Sequence, residues 1–184
     1  MNSLKGQLLV ATTQLLDPNF ARTVVLILEH NDEGAVGVIL NRPTQARVTD
    51  LAGQGFEEST DWEKPIHLGG PVAGTVLVLH EVEELSDVEI LPGVYSTAEA
   101  SKIQQLIRSQ AEPSLILANY AGWRAGQLET EIEEDSWLTC PATPRHVFSD
   151  DPAELWESLV REINAAELTR MLGLRDVPDD PTLN

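Results

Sequence analysis

Hydrophobic positions fall into short runs separated by turn residues. Leu8-Leu-Val-Ala11 predicts a short buried strand. Asp17-Pro-Asn-Phe20 reads as a turn, with an Asp acceptor and a proline that presets φ. Thr23-Val-Val-Leu-Ile-Leu28 is a β-branched apolar run, the pattern of a central strand. Asn31-Asp-Glu-Gly34 then turns the chain into Val36-Gly-Val-Ile-Leu40, which predicts a β-hairpin. Residues 54–64 are polar and read as a loop. Ile66-His-Leu-Gly-Gly-Pro-Val72 predicts a strand entering a tight turn, and Thr75-Val-Leu-Val-Leu-His80 another strand. Residues 81–86 read as an acidic loop, and Val94-Tyr-Ser96 as a short strand extension.

Helical spacing begins after that point. Ser96 and Glu99 have the spacing of a capping box, and Ile103, Leu106 and Ile107 give the following helix one apolar face. Pro113 closes it. Leu115-Ile-Leu-Ala118 predicts one more strand, and residues 126–134 a short helix with Leu128 and Ile132 one turn apart. Asp151-Pro-Ala-Glu154 opens a last helix, with Asp as cap and Pro at the first position. Its stripe is Leu155, Leu159, Val160 and Ile163, continued by Leu168, Met171 and Leu172. Strict βαβ alternation is missing, so the pattern favours an α+β domain with an antiparallel-rich sheet and packed helices. One domain is expected over residues 1–175, followed by a mobile tail over 176–184.

Charge narrows the partners. Twelve Lys and Arg against 30 Asp and Glu leave −18 over 184 residues. Such a surface repels phosphate backbones and anionic membranes, so direct nucleic-acid or membrane binding is not expected. It suits a protein partner or a small-molecule ligand. The single cysteine, Cys140, has no partner for a disulfide, and its flanks hold no cation to activate it. No apolar leader or spanning segment is visible, and a cytoplasmic location is the expectation.

The strongest candidate site is Tyr120-Ala-Gly-Trp-Arg-Ala-Gly-Gln-Leu-Glu129, read as a loop between a strand and a helix. Gly122 and Gly126 would let the backbone turn. Tyr120 and Trp123 offer aromatic surface, and Gln127 and Glu129 directed polar contacts. Trp123 can equally plug the core. Arg22 could clamp an anion, or pair internally with Asp17 or another acid. His30 and Asn41 could edge a pocket, or cap the ends of the hairpin. His30, His67, His80 and His146 show no metal-ligand spacing. The acidic run Glu129, Glu131, Glu133, Glu134 and Asp135 lacks the order of a calcium loop and reads as a solvated helix face. Phosphate-loop, dinucleotide and serine-hydrolase motifs are missing too, so no metal and no cofactor are expected.

Taken in order, Gly6-Gln-Leu-Leu-Val-Ala11, Asp17-Pro-Asn-Phe-Ala-Arg-Thr-Val24, Glu29-His-Asn31, Gly34-Ala-Val-Gly37, Leu40-Asn-Arg-Pro43, Gly69-Gly-Pro-Val72, Val78-Leu-His80, Tyr120-Ala-Gly-Trp123, Gly126-Gln-Leu-Glu129 and Trp137-Leu138 resemble the YqgE/AlgH family over nearly the whole chain. Two positions depart from its pattern. Thr13 stands where the family usually carries proline, and Asp135 where asparagine commonly precedes the Trp by two. The resemblance implies coiled, bifurcated β-sheets and a bacterial cytoplasmic origin. It implies no settled activity, although some members are labelled transcriptional regulators. No helix-turn-helix is visible here, so any transcriptional effect is expected to be indirect.

The leading functional expectation is a noncatalytic binding or regulatory protein acting through a loop-lined cleft that includes Arg22, His30, Asn41, Tyr120, Trp123, Gln127 and Glu129. The alternative is a small-metabolite enzyme with Glu129 or His30 as acid or base and Arg22 as anion clamp. The enzyme reading requires those groups to converge in one pocket. The binding reading expects Trp123→Ala to spare the melting temperature, whereas loss of the fold would assign Trp123 to the core.

Overall fold

Successive residues of β1 (Gln7–Ala11) pack into different apolar clusters: Leu8 and Val10 on one face, Leu9 and Ala11 on the other. A strand buried on both faces must be central. In the computed structural model, which describes residues 3–51 and 60–171, β1 lies between β10 (Trp137–Pro141) and β2 (Val24–Asn31). The expected hairpin follows: β2 pairs with β3 (Gly34–Ile39) across Asp32 and Glu33.

The remaining strands are β4 (Pro43–Arg47), β5 (Pro65–Leu68), β6 (Val72–His80), β7 (Val88–Leu91), β8 (Val94–Thr97) and β9 (Ser114–Arg124). The strand order is β10-β1-β2-β3-β9-β6-β8-β7, with β4 and β5 attached through β9. Among the described residues every pairing is antiparallel except β5 with β9. Among the described residues the result is one curled, mostly antiparallel sheet with four packed helices, an α+β fold as expected.

The sheet divides at β9. Its C-terminal half pairs with β3, from Gly37↔Ala121 to Gly34↔Arg124, and its N-terminal half with β5 and β6. Asn119 sits at the division in the left-handed region, at φ 67°. The phase of the strand changes there. Leu115 and Leu117 face the inner cluster with Leu79 and Leu26, while Ile116 faces the cluster under α1 (Ala100–Ser109). Beyond Asn119, Tyr120 packs on the inner cluster, and Ala121 and Trp123 enter the cluster around Trp137. Unbroken alternation would have put Trp123 on the same face as Leu115 and Leu117.

Three cores follow from this split. The inner one is closed by Leu155, Trp156 and Leu159 of α4 (Pro152–Met171). A second holds Trp123 and Trp137 with Leu128 of α2 (Gln127–Glu133). The third packs Ile103, Leu106 and Ile107 of α1 on Ile116 and Val78.

Several expectations are corrected. Strand β9 does not end at Ala118 but runs to Arg124, so residues 120–124 form a strand rather than a loop. Glycine at 122 and a left-handed Asn hide that strand from propensity, and pairing with β3 supplies what propensity lacks. The proposed capping box is absent: Ser96 belongs to β8, and Glu99 makes no side-chain cap bond. Asp87 caps α1 instead, its Oδ2 accepting from the backbone N–H of Ala98 at 2.9 Å and of Glu99 at 3.3 Å. A capping box does occur on the one-turn helix α3 (Pro144–Val147), between Thr143 and His146. Helix α1 ends at a left-handed Gln110, before Pro113 is reached. Leu168 and Met171 do not extend the buried stripe of α4; they are exposed. Leu172, the expected tail over 176–184 and most of the expected loop over 54–64 lie outside the described residues.

Candidate functional site

Trp123 settles on the wall of the core rather than on a ligand surface. It is 6 % exposed. Its ring lies 5.9 Å from Phe20 and 6.1 Å from Trp137, and Phe20 meets Trp137 edge-on at 5.6 Å. Three aromatic rings at these separations form one packed unit. Both indoles need a partner for their N–H once buried. Glu131 Oε2 accepts from Trp123 Nε1 and from Trp137 Nε1, each at 2.9 Å. Its other oxygen accepts from Gln127 Nε2 at 2.9 Å, and Gln127 Oε1 accepts the backbone N–H of Arg124 at 3.1 Å. Gln127 is therefore part of this internal network. In sequence Glu131 is one acid in a polar run; only the fold brings two indoles 8 and 6 residues away onto its carboxylate.

His30 and Glu129 come together. Nε2 of His30 lies 2.7 Å from Glu129 Oε1, and Nδ1 accepts the backbone N–H of Leu4 at 3.0 Å. That second bond leaves the proton on Nε2, directed at the carboxylate. Glu129 has its pKa lowered, first by its own backbone N–H and then by His30. The pair ties the N-terminal segment and the end of β2 to α2. Glu129 and Glu131 are thus engaged residues, contrary to the solvated-face reading.

Arg22 and Asn41 meet at the other end of β2. Asn41 Oδ1 accepts the N–H of Val24 at 2.9 Å, and its Nδ2 donates to the carbonyl of Arg22 at 3.0 Å. These bonds match the capping reading of Asn41. Arg22 has φ 59° and lays its guanidinium over Trp156, 4.7 Å from the ring centroid, while pairing with Glu157. The acid it finds is on α4, not the neighbouring Asp17. Arg22 lies in the turn before β2 and His30 near the end of that strand, so the six residue steps from Val24 to His30 part them by roughly 20 Å. They form no common clamp with Glu129, which removes the convergence that the enzyme reading requires.

Tyr120 stands apart from the other candidates. It lies on the opposite face of β9 from Trp123 and lines a groove of about 380 Å³ with Leu28, Val36, Val38, Thr75 and Leu77. The groove is mainly apolar, and Asn119 and Gly74 form its polar edge. Asn119 Oδ1 accepts the N–H of Gly74 at 3.2 Å, which holds the start of β6 beside the division of the sheet. Gly70 keeps that crossing tight, since a Cβ there would lie 2.2 Å from the carbonyl carbon of Tyr120. None of the other six candidate residues lines the groove.

Cys140 is half-buried, and burial raises its thiol pKa, so little thiolate forms at neutral pH. Among the described residues, no helix is long and apolar enough to cross a membrane.

Similarity to known proteins matches this fold. A family model described as AlgH-like covers residues 8–167. A UPF0301 protein of Chlorobaculum tepidum is 43% identical, over 85% of this chain and 84% of the relative. One from Streptomyces avermitilis is 36% identical over 100% of this chain and 97% of its own. The solution structure of the AlgH protein from Pseudomonas aeruginosa superposes with a TM-score of 0.76 at 32% identity, covering 96% of both chains. A crystal structure from Corynebacterium diphtheriae, 24% identical with a TM-score of 0.69, shares the fold. Sequence and architecture together place the chain in the AlgH-like family of UPF0301 proteins.

Proposed function

We propose that this chain is a noncatalytic cytoplasmic binding protein whose partner seats in the groove beside Tyr120. The observation that carries this reading is the groove itself: apolar side chains of β2, β3 and β6 line a concave volume with a hydrogen-bonding amide at its edge. Apolar concavities with few polar groups are the usual form of binding sites. The matching partner chemistry is an apolar side chain carried on a segment of another protein. A regulatory role follows from such capture and needs no contact with DNA, in keeping with the charge of −18. Arg22, His30, Asn41, Trp123, Gln127 and Glu129 then shape and stiffen the scaffold while Tyr120 meets the ligand.

A photo-crosslinking side chain at exposed Thr75 tests the reading in bacterial cells. A discrete adduct is expected, and Val36→Glu should remove it while leaving the melting temperature unchanged. Adducts that persist unaltered in Val36→Glu and in Leu77→Glu would sink the proposal.

A further inference from the structure

A second pocket, of about 350 Å³, shares no lining residue with the groove. It opens between the start of β9, the β5 strand and the α3 turn. Its floor is apolar, with Leu40, Leu115, Val147 and Phe148, and four prolines (Pro43, Pro65, Pro113 and Pro152) stiffen its walls. Its polar groups are specific in type. His67 is 3 % exposed, and its Nδ1 lies 2.8 Å from the carbonyl oxygen of Leu40. A carbonyl only accepts, so Nδ1 carries the proton and Nε2 keeps a lone pair. Burial lowers the pKa of His67 and holds the ring neutral. The side-chain hydrogen bond of His67 is made at Nδ1, which leaves Nε2 for the pocket that the ring lines.

His146 is wired with the opposite polarity. Its Nδ1 accepts the N–H of Thr143 at 3.2 Å, which leaves Nε2 as the donor of the neutral ring. Ser114, 5 % exposed, has a buried hydroxyl with no partner among the described residues. Lys64 and Glu112 neutralise each other through contacts of 2.6 and 2.5 Å. Asp150 then supplies the remaining charge of the lining, which is negative. A carboxylate or phosphate would enter against that charge and against the field of the whole chain. A cation bearing N–H donors enters with both.

We propose that this pocket binds a small amphiphilic amine, its apolar body on Leu115, Val147 and Phe148 and its ammonium donating to His67 Nε2, with Asp150 as the opposing charge. The acceptor lone pair is preset by the Leu40 carbonyl, and the ammonium needs no proton transfer. The site is independent of the groove, so either can fail without the other.

Phenethylamine is a suitable probe, with phenylacetate as the isosteric anion. Titration followed by imidazole ¹⁵N–¹H correlation should give a saturable shift at His67 with phenethylamine and none with phenylacetate. His67→Asn retains a donor for the Leu40 carbonyl and deletes Nε2; it should weaken binding by about tenfold or more. Asp150→Asn, on an exposed residue, should weaken it by about fivefold and reduce its salt sensitivity. Equal binding of the two probes, no saturable shift at His67, or unchanged affinity in Asp150→Asn would overturn the assignment. The Asp150 arm and the wild-type titration decide the matter even if His67→Asn fails to fold.

Discussion

The indole nitrogen of Trp123 donates a 2.9 Å hydrogen bond to Glu131, the same carboxylate oxygen that accepts from Trp137. One acid on a short helix thereby locks two strands, β9 and β10, that are not neighbours in the sheet. Truncating Trp123 removes a buried aromatic and opens a cavity beside Phe20. Trp123→Ala should cost about 3–5 kcal/mol and lower the melting temperature by many degrees. A melting point within a degree of wild type would return Trp123 to the list of ligand contacts.

Glu131→Leu and Glu131→Gln separate charge from hydrogen bonding. The leucine variant strands two buried indole N–H groups and should lose at least about 2 kcal/mol in urea unfolding. The glutamine variant keeps an acceptor oxygen and should recover most of that loss. Equal losses in both would show that the carboxylate charge, not acceptance, matters.

Asn119 holds the left-handed conformation that shifts the phase of β9. Asn119→Gly should be tolerated, since glycine reaches φ 67° freely. Asn119→Val should cost at least about 1–2 kcal/mol from backbone strain alone. Chemical denaturation of the two variants checks the order.

Asp87 caps α1 from a distant loop while Lys102 Nζ contacts its other oxygen at 2.5 Å. That ammonium, with the N–H groups of the helix start, holds the Asp87 pKa well below the usual carboxylate range. A depressed carboxylate pKa stabilises the fold above the unfolded value and loses that contribution as pH falls below it. Asp87→Ala should cost about 1 kcal/mol at neutral pH and flatten the acid limb of the stability curve below about pH 4.

His80 is fully buried, and its Nε2 has no partner among the described residues. Burial lowers its pKa below the ordinary 6.5, as it does for His67. The unfolded chain therefore binds protons that the folded chain refuses. Stability should be complete above that ordinary value and fall by up to about 1.4 kcal/mol per pH unit for each histidine as pH drops through it. Urea unfolding from neutral pH to about pH 5 reads this slope, and His80→Phe should remove one proton's share of it.

The local pattern alone determined the β2–β3 hairpin and the apolar faces of α1 and of the first half of α4. Those features rest on near neighbours: β-branched runs, a two-residue connection, and apolar side chains three and four apart. What the tertiary structure decided is which side of the sheet each candidate faces. A single left-handed residue, Asn119, reverses the alternation of β9, sending Tyr120 to the inner groove and Trp123 to the outer core. Glu131 and Asp87 gained their roles from partners brought in by folding, so no spacing along the chain announces them. Arg22 precedes β2 and His30 lies near its end, so the length of the strand parts them in space. Local patterning reports what each segment is, while register and sheet curvature assign its company.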